Sequence, residues 1–206
     1  MPLAFADIAF TPAVRAEQER KGSARAYSNM LAPDADGGDR LSPDEADFLT
    51  ARDGFYQATV SESGWPYVQF RGGSPGFLQV LDDRTIAYAD YAGNRQYIST
   101  GNLAGDDRVS IIAIDYPNQR RLKVWGHAQL SDDPEIIAGL ARGYGRRIER
   151  AVVIRIAAFD WNCPKHIPRR MTADEMGPTL SAHETRISDL LADNRALRAQ
   201  LSDPAR

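Results

Sequence analysis

The stretch Asp90-Tyr91-Ala92-Gly93-Asn94-Arg95-Gln96-Tyr97-Ile98-Ser99-Thr100-Gly101-Asn102-Leu103 gathers the residue types that hold a phosphate. It follows a predicted strand, and the pattern predicts a short helix over 94–103. Gly93 permits a tight turn. Asn94, Arg95 and Gln96 then stand beside the free amides of a helix start, where an anion is stabilised. The same residues also suit an ordinary helix cap with a surface arginine.

A second candidate lies upstream. In Tyr67-Val68-Gln69-Phe70-Arg71, Gln69 and Arg71 alternate with Val68 and Phe70, so both polar side chains leave one face of a strand. An amide and a guanidinium there fit the polar edge of an aromatic ring system, or equally the wet side of a half-buried strand. Gly72, Gly73 and Gly76 follow, and so many glycines let a flat ligand approach the backbone. A third cluster runs from Phe159 to Arg170. Trp161 offers a ring for stacking. Pro164 and Pro168 flank His166 and predict a stiff, extended segment. His166 has no second ligand at a useful spacing, so no metal site is expected. Cys163 has no identifiable base and reads as a small apolar residue.

Residues 141–170 hold eight basic side chains against two acids, while the whole chain carries a formal net charge of -3. A local basic region in an acidic protein suits a small anionic ligand better than a nucleic acid. With 206 residues, 43% hydrophobic and 26% charged, the chain can build a packed core. No apolar run reaches the roughly 18 residues of a membrane span. The start lacks the basic region of a secretory signal. The single cysteine excludes an intrachain disulfide. A soluble cytoplasmic protein is expected, with no membrane partner.

The elements that must position these residues follow from period and capping. Thr11-Pro12 starts a helix that weakens near Gly22, and Ser42-Pro43-Asp44-Glu45 is a capping box opening another. Strands are predicted over 55–60, 67–71, 77–81, 85–89, 108–115, 121–130 and 151–159, with a helix opened by Asp133-Pro134. Six or seven strands in mostly antiparallel meander order predict a closed or split β-barrel with peripheral helices. The tail reads as a helix opened by the box Ser181-Ala182-His183-Glu184. There Ile187, Leu190, Asn194, Leu197 and Leu201 follow heptad spacing, which fits packing on the chain's own barrel or pairing with a second copy.

Taken in order, these segments resemble the pyridoxamine 5'-phosphate oxidase-like, FMN-binding split-barrel superfamily over 51–170. The resemblance implies an N-terminal helical segment (1–50), an antiparallel six- to seven-stranded split-barrel domain (51–170), and a linker with a C-terminal helix (171–206). It implies a homodimer with FMN in clefts between subunits and a small-molecule substrate or electron donor. Gln69, Phe70 and Arg71 would run beside the isoalloxazine. Tyr88 and Asp90 would line the ribityl side, and Asn94, Arg95 and Gln96 would hold the phosphate. Ser99 and Asn102 would close that end. Trp125 could face the cofactor, and Trp161 and Asn162 could reach the flavin of the other subunit. No catalytic acid or base is singled out. The true oxidases carry an Arg-x-Val-Leu-Leu-Lys pattern on the second strand and an Arg-Lys pair in the phosphate loop. This chain has neither, and no clear equivalent of their C-terminal arginine and histidine motif. The expected activity is therefore an FMN-dependent oxidoreductase that does not act on pyridoxamine phosphate. The alternative is a non-catalytic flavin- or haem-binding sensor on the same fold.

Overall fold

The computed structural model describes residues 2–141, 147–161 and 163–202; Asn162 lies outside them. Two compact units result, Met1–Asp115 with Gln119–Lys165, and Tyr116–Asn118 with His166–Arg206.

The first unit opens with α1 (Ala4–Ala9), α2 (Pro12–Lys21) and α3 (Ala24–Tyr27). Thr11 accepts a hydrogen bond from the Val14 amide and Pro12 sits at the first helical position, so α2 starts where its sequence says. Gly22, at φ 74°, ends it in a left-handed turn. Next comes α4 (Pro43–Thr50), whose Ser42–Glu45 capping box is formed in both directions.

Seven strands follow, all described and all antiparallel: β1 (Gly54–Val60), β2 (Pro66–Gly72), β3 (Leu78–Asp82), β4 (Thr85–Tyr91), β5 (Arg108–Asp115), β6 (Arg120–Ser131) and β7 (Ile148–Trp161). Between them lie α5 (Ile98–Gly105) and α6 (Pro134–Leu140). The sheet order is β2-β1-β5-β6-β7-β4-β3. Consecutive strands pair as a meander would have them, except that β1 joins β5 and β4 joins β7. Side chains cross the interior of the curved sheet: Tyr88 of β4 reaches Gln57 of β1, and Arg71 of β2 reaches Asp90 of β4. This is a split barrel. A bulge between Trp125 and Gly126 bends β6 where it meets β7. A Cβ at Gly126 would stand 2.5 Å from the Arg155 carbonyl oxygen, so only glycine fits that close approach.

The core follows from strand alternation. Phe55, Leu78, Ile86, Tyr88, Ile111, Leu122, Val124 and Ile154 point inward and are almost fully buried. Phe48 and Leu49 of α4 pack against them. Each such side chain contributes roughly 1.5–3 kcal/mol of burial.

The second unit contains α7 (Ala173–Ser202). Three boundaries differ from expectation. The helix α5 begins at Ile98, four residues after Asn94. The strand β7 continues to Trp161, which is therefore a strand residue. The helix α7 begins eight residues before Ser181, because Thr172 and Glu175 form its capping box and the helix runs through Pro178. No described helix is long and apolar enough to cross a membrane.

Candidate functional site

A cleft of about 210 Å3 opens between β2, the end of β4, the segment 92–97, the first turn of α5 and the start of β7. It is polar because β2 faces it with its polar side. Tyr67, Gln69 and Arg71 alternate inward, whereas Val68 and Phe70 point outward and are more than half exposed.

Charge organises the floor of the cleft. Arg71 donates from Nη1 to Asp90 Oδ1 at 2.9 Å, and the two side chains are largely buried. Arg150 enters from β7 because the register places it opposite Asp90. Its Nε lies 3.7 Å from Asp90 Oδ2, and its Nη2 donates to Glu149 at 3.4 Å. The guanidinium of Arg150 also lies 5.6 Å from the Tyr97 ring centroid. The Nε atoms of both Arg71 and Arg150 are buried without a hydrogen-bond acceptor among the described residues.

The upper wall is the segment before α5. Arg95 (φ 60°) and Tyr97 (φ 53°) both adopt the left-handed backbone that side chains disfavour. That geometry lets Arg95 Nε donate to the Tyr97 hydroxyl at 3.2 Å, and the hydroxyl donate to Glu149 at 3.3 Å. The Tyr97 contact, and then the Glu149 charge, hold the exposed Arg95 guanidinium above its ordinary value. Asn94 Oδ1 accepts from the Gln96 amide, which folds the turn. Ser99 Oγ donates to Gln69 Oε1 at 3.1 Å and ties α5 to β2.

Below the cleft, Tyr88 is fully buried and donates to Gln57 Oε1 at 2.8 Å. Burial pushes its hydroxyl up to about 12. The Gln57 Nε2 atom beside it has no hydrogen-bond partner among the described residues. Asn102 turns away from the cleft and donates to Thr59 at 2.9 Å.

The structure thus brings Gln69, Arg71, Asp90, Asn94, Arg95, Gln96 and Ser99 to one cleft. Phe70, Arg71, Tyr88 and Asp90 line a smaller adjoining cavity of about 140 Å3. It does not bring Trp125 or Trp161 there within one protomer. The Trp125 indole donates to Ser110, and its ring lies 4.9 Å from that of Phe5. The Trp161 indole donates to Glu45 at 2.6 Å, and its ring packs edge-on to Phe48.

The glycine-rich bend also differs from expectation. The space a Cβ would take at Gly73 is filled by Phe77, and at Gly72 by Phe70, each at 2.7 Å. These glycines admit neighbouring aromatic rings. The left-handed turn falls on Arg95 and Tyr97 instead of Gly93.

Sequence reasoning missed Tyr67, Tyr97, Glu149 and Arg150. Tyr67 shares the alternation of Gln69 and Arg71, so its signal was present. Glu149 reaches the cleft, and Arg150 reaches Asp90 beside it, only through the pairing of β7 with β4.

Two guanidiniums, Arg71 and Arg95, and two carboxylates, Asp90 and Glu149, thus line a cleft that ends on the first turn of α5, with Arg150 behind the carboxylates, a set suited to a monoester phosphate. The model of the family described as Pyridoxamine 5'-phosphate oxidase matches residues 41–170. The chain belongs to that family. The seven strands, the cleft and α4 of this split-barrel family member all fall within the matched span.

No curated protein matches the chain. Among solved structures, HupZ from Group A Streptococcus is 14% identical with a TM-score of 0.46, covering 64% of this chain and 100% of that one. An FMN-binding protein from Syntrophomonas wolfei is 15% identical with a TM-score of 0.44, covering 72% and 97%. A pyridoxinephosphate oxidase family protein from Clostridium acetobutylicum, related to general stress protein 26, is 12% identical with a TM-score of 0.44, covering 65% and 94%.

Proposed function

We propose that the cleft binds FMN and that the protein is a homodimeric FMN-dependent oxidoreductase that does not act on pyridoxamine phosphate. The observation that carries this reading is the pair Arg71 and Arg95 lining the cleft beside the first turn of α5, with Arg150 set behind Asp90. Cationic side chains and free helix amides facing one cleft stabilise an anionic, hydrogen-bonding ligand there.

In this reading Arg95, Ser99 and the first amides of α5 hold the phosphate. Gln69 and Arg71 meet the polar edge of the ring, and Tyr67 lies along it. Asp90 holds the Arg71 guanidinium in place there. Asn94 acts one step back, by folding the turn that aims Arg95. When bound, FMN supplies the redox chemistry, and the protein supplies binding, orientation and electrostatics. Its substrate or electron donor is a small molecule.

The dimer reading rests on the outer face of β1 and β2. Tyr56, Val68 and Phe70 are exposed there, and large apolar side chains clustered on a surface mark contact sites. Phe70 separates Gln69 from Arg71 in β2, so a partner covering this face stands next to the cleft. Trp125 and Trp161 reach a flavin only across such a dimer.

Purified protein mixed with FMN and desalted is expected to stay yellow. NAD(P)H is expected to bleach the colour, and an acceptor to restore it. Colourless protein contradicts the FMN reading. Retained FMN that no donor reduces contradicts the oxidoreductase and leaves a flavin-binding protein.

A further inference from the structure

We propose that α7 pairs in parallel with α7 of a second copy of this chain, forming a two-stranded coiled coil. The proposal is independent of the flavin reading.

The helix spans Ala173–Ser202, and its leucines are bare. Ile187, Leu190, Leu197 and Leu201 are 57%, 49%, 58% and 87% exposed. With Asn194 they fall at spacings of three, four, three and four, so they form one seam of a and d positions. Ser188, Asp189, Ala192, Arg195 and Ala199 take the b, c and f positions, so the opposite side is polar or small. An isolated helix with such a stripe is marginal in water, and its stability comes from covering the stripe.

Two features choose a second α7 as the cover. First, Asn194 sits at an a position, where it meets its counterpart in a parallel, in-register dimer. A single buried asparagine there sets register and favours two strands. Second, the flanking charges are complementary. Asp193 takes a g position and Arg198 the following e position. In a parallel pair, g of one helix faces the next e of the other, so Asp193 faces Arg198 twice by symmetry. Within one helix, Arg198 Nε donates to Asn194 Oδ1 at 2.7 Å, which holds both residues on the seam side.

Disulfide trapping tests the pairing in the full chain. Cys163 is exposed and is first replaced, Cys163→Ser, to remove stray cross-links. Leu197→Cys then places a thiol at a d position, and Ala192→Cys places one at an f position. In a parallel coil the two d residues are close enough to bridge, whereas the two f residues point apart. Mild oxidation is expected to convert Leu197→Cys to a species of twice the chain mass that reductant reverses. Ala192→Cys is expected to stay single. Because Leu197→Cys alters the seam, Asn194→Cys at an a position is the second variant and is expected to cross-link as well. Cross-linking of Ala192→Cys as efficient as at the seam, or none at either seam position, overturns the proposal. The same yields are expected with and without FMN.

Discussion

Arg71 on β2 donates to Asp90 on β4 at 2.9 Å, although β2 and β4 lie near opposite ends of the sheet. The pair closes the split of the barrel, and Arg150 joins it from β7. One buried carboxylate thus orients two guanidiniums.

Arg71→Ala leaves Asp90 with Arg150 alone. Loss of a hydrogen bond between charged groups costs about 1.5–3 kcal/mol. Urea unfolding is expected to show that loss, together with weaker FMN binding. Arg71→Lys is expected to recover stability only in part, since a point charge does not reproduce the planar fork.

Tyr88 gives a pH signature. Its hydroxyl is held at about 12 in the folded protein against an ordinary 10, through burial. Between those values the unfolded chain loses the proton while the folded chain keeps it. The stabilisation is therefore complete below pH 10 and is lost as pH rises toward 12. The loss is about 3 kcal/mol. Denaturant titrations across that range are expected to show it, and Tyr88→Phe is expected to remove the Tyr88 contribution. At neutral pH the same variant leaves Gln57 Oε1 without its donor and costs about 1–3 kcal/mol.

Much of this architecture is legible in the chain itself. The strand Arg108–Asp115 alternates cleanly, and the helix Pro43–Thr50 carries its own cap. The site is legible where it is local. Gln69 and Arg71 share a face by period, and Asp90 to Ser99 are contiguous. It is illegible where long-range contacts decide. The turn before Ile98 is left-handed at Arg95 and Tyr97, and Tyr97 meets Glu149, which is 52 residues away. No local pattern announces that contact. Gly72 and Gly73 look open in sequence, yet Phe70 and Phe77 fill the space above them. At the tail two boxes compete, Thr172–Glu175 and Ser181–Glu184. The first is used because the helix tolerates Pro178, so the second falls inside it.

Glu45 carries an acid-side signature. Burial raises its carboxyl, but hydrogen bonds from Ser42 and Trp161 outweigh this and hold it below its ordinary 4.5. Its contribution is present above that value and is lost as pH falls through the lower folded value. Glu45→Gln is expected to flatten this part of the stability profile between pH 3 and pH 5, roughly the carboxylate range. Urea midpoints at the two ends check it. Ser42→Ala removes the cap as well and is expected to cost about 1 kcal/mol at pH 7.

Arg95→Ala separates binding from folding. Arg95 is exposed, so its removal is expected to leave the urea midpoint unchanged. FMN affinity is expected to fall by about 10- to 150-fold, from loss of one charge-assisted contact of about 1.5–3 kcal/mol. Flavin fluorescence titration of the two proteins reads both numbers.

The central claim is that the turn before α5 grips a phosphate. Parallel fluorescence titrations with FMN and with riboflavin, which lacks only the phosphate, test it most directly. FMN is expected to saturate the protein at one per chain, and riboflavin to bind much more weakly. Equal affinity for the two flavins, or no binding of FMN, would contradict it.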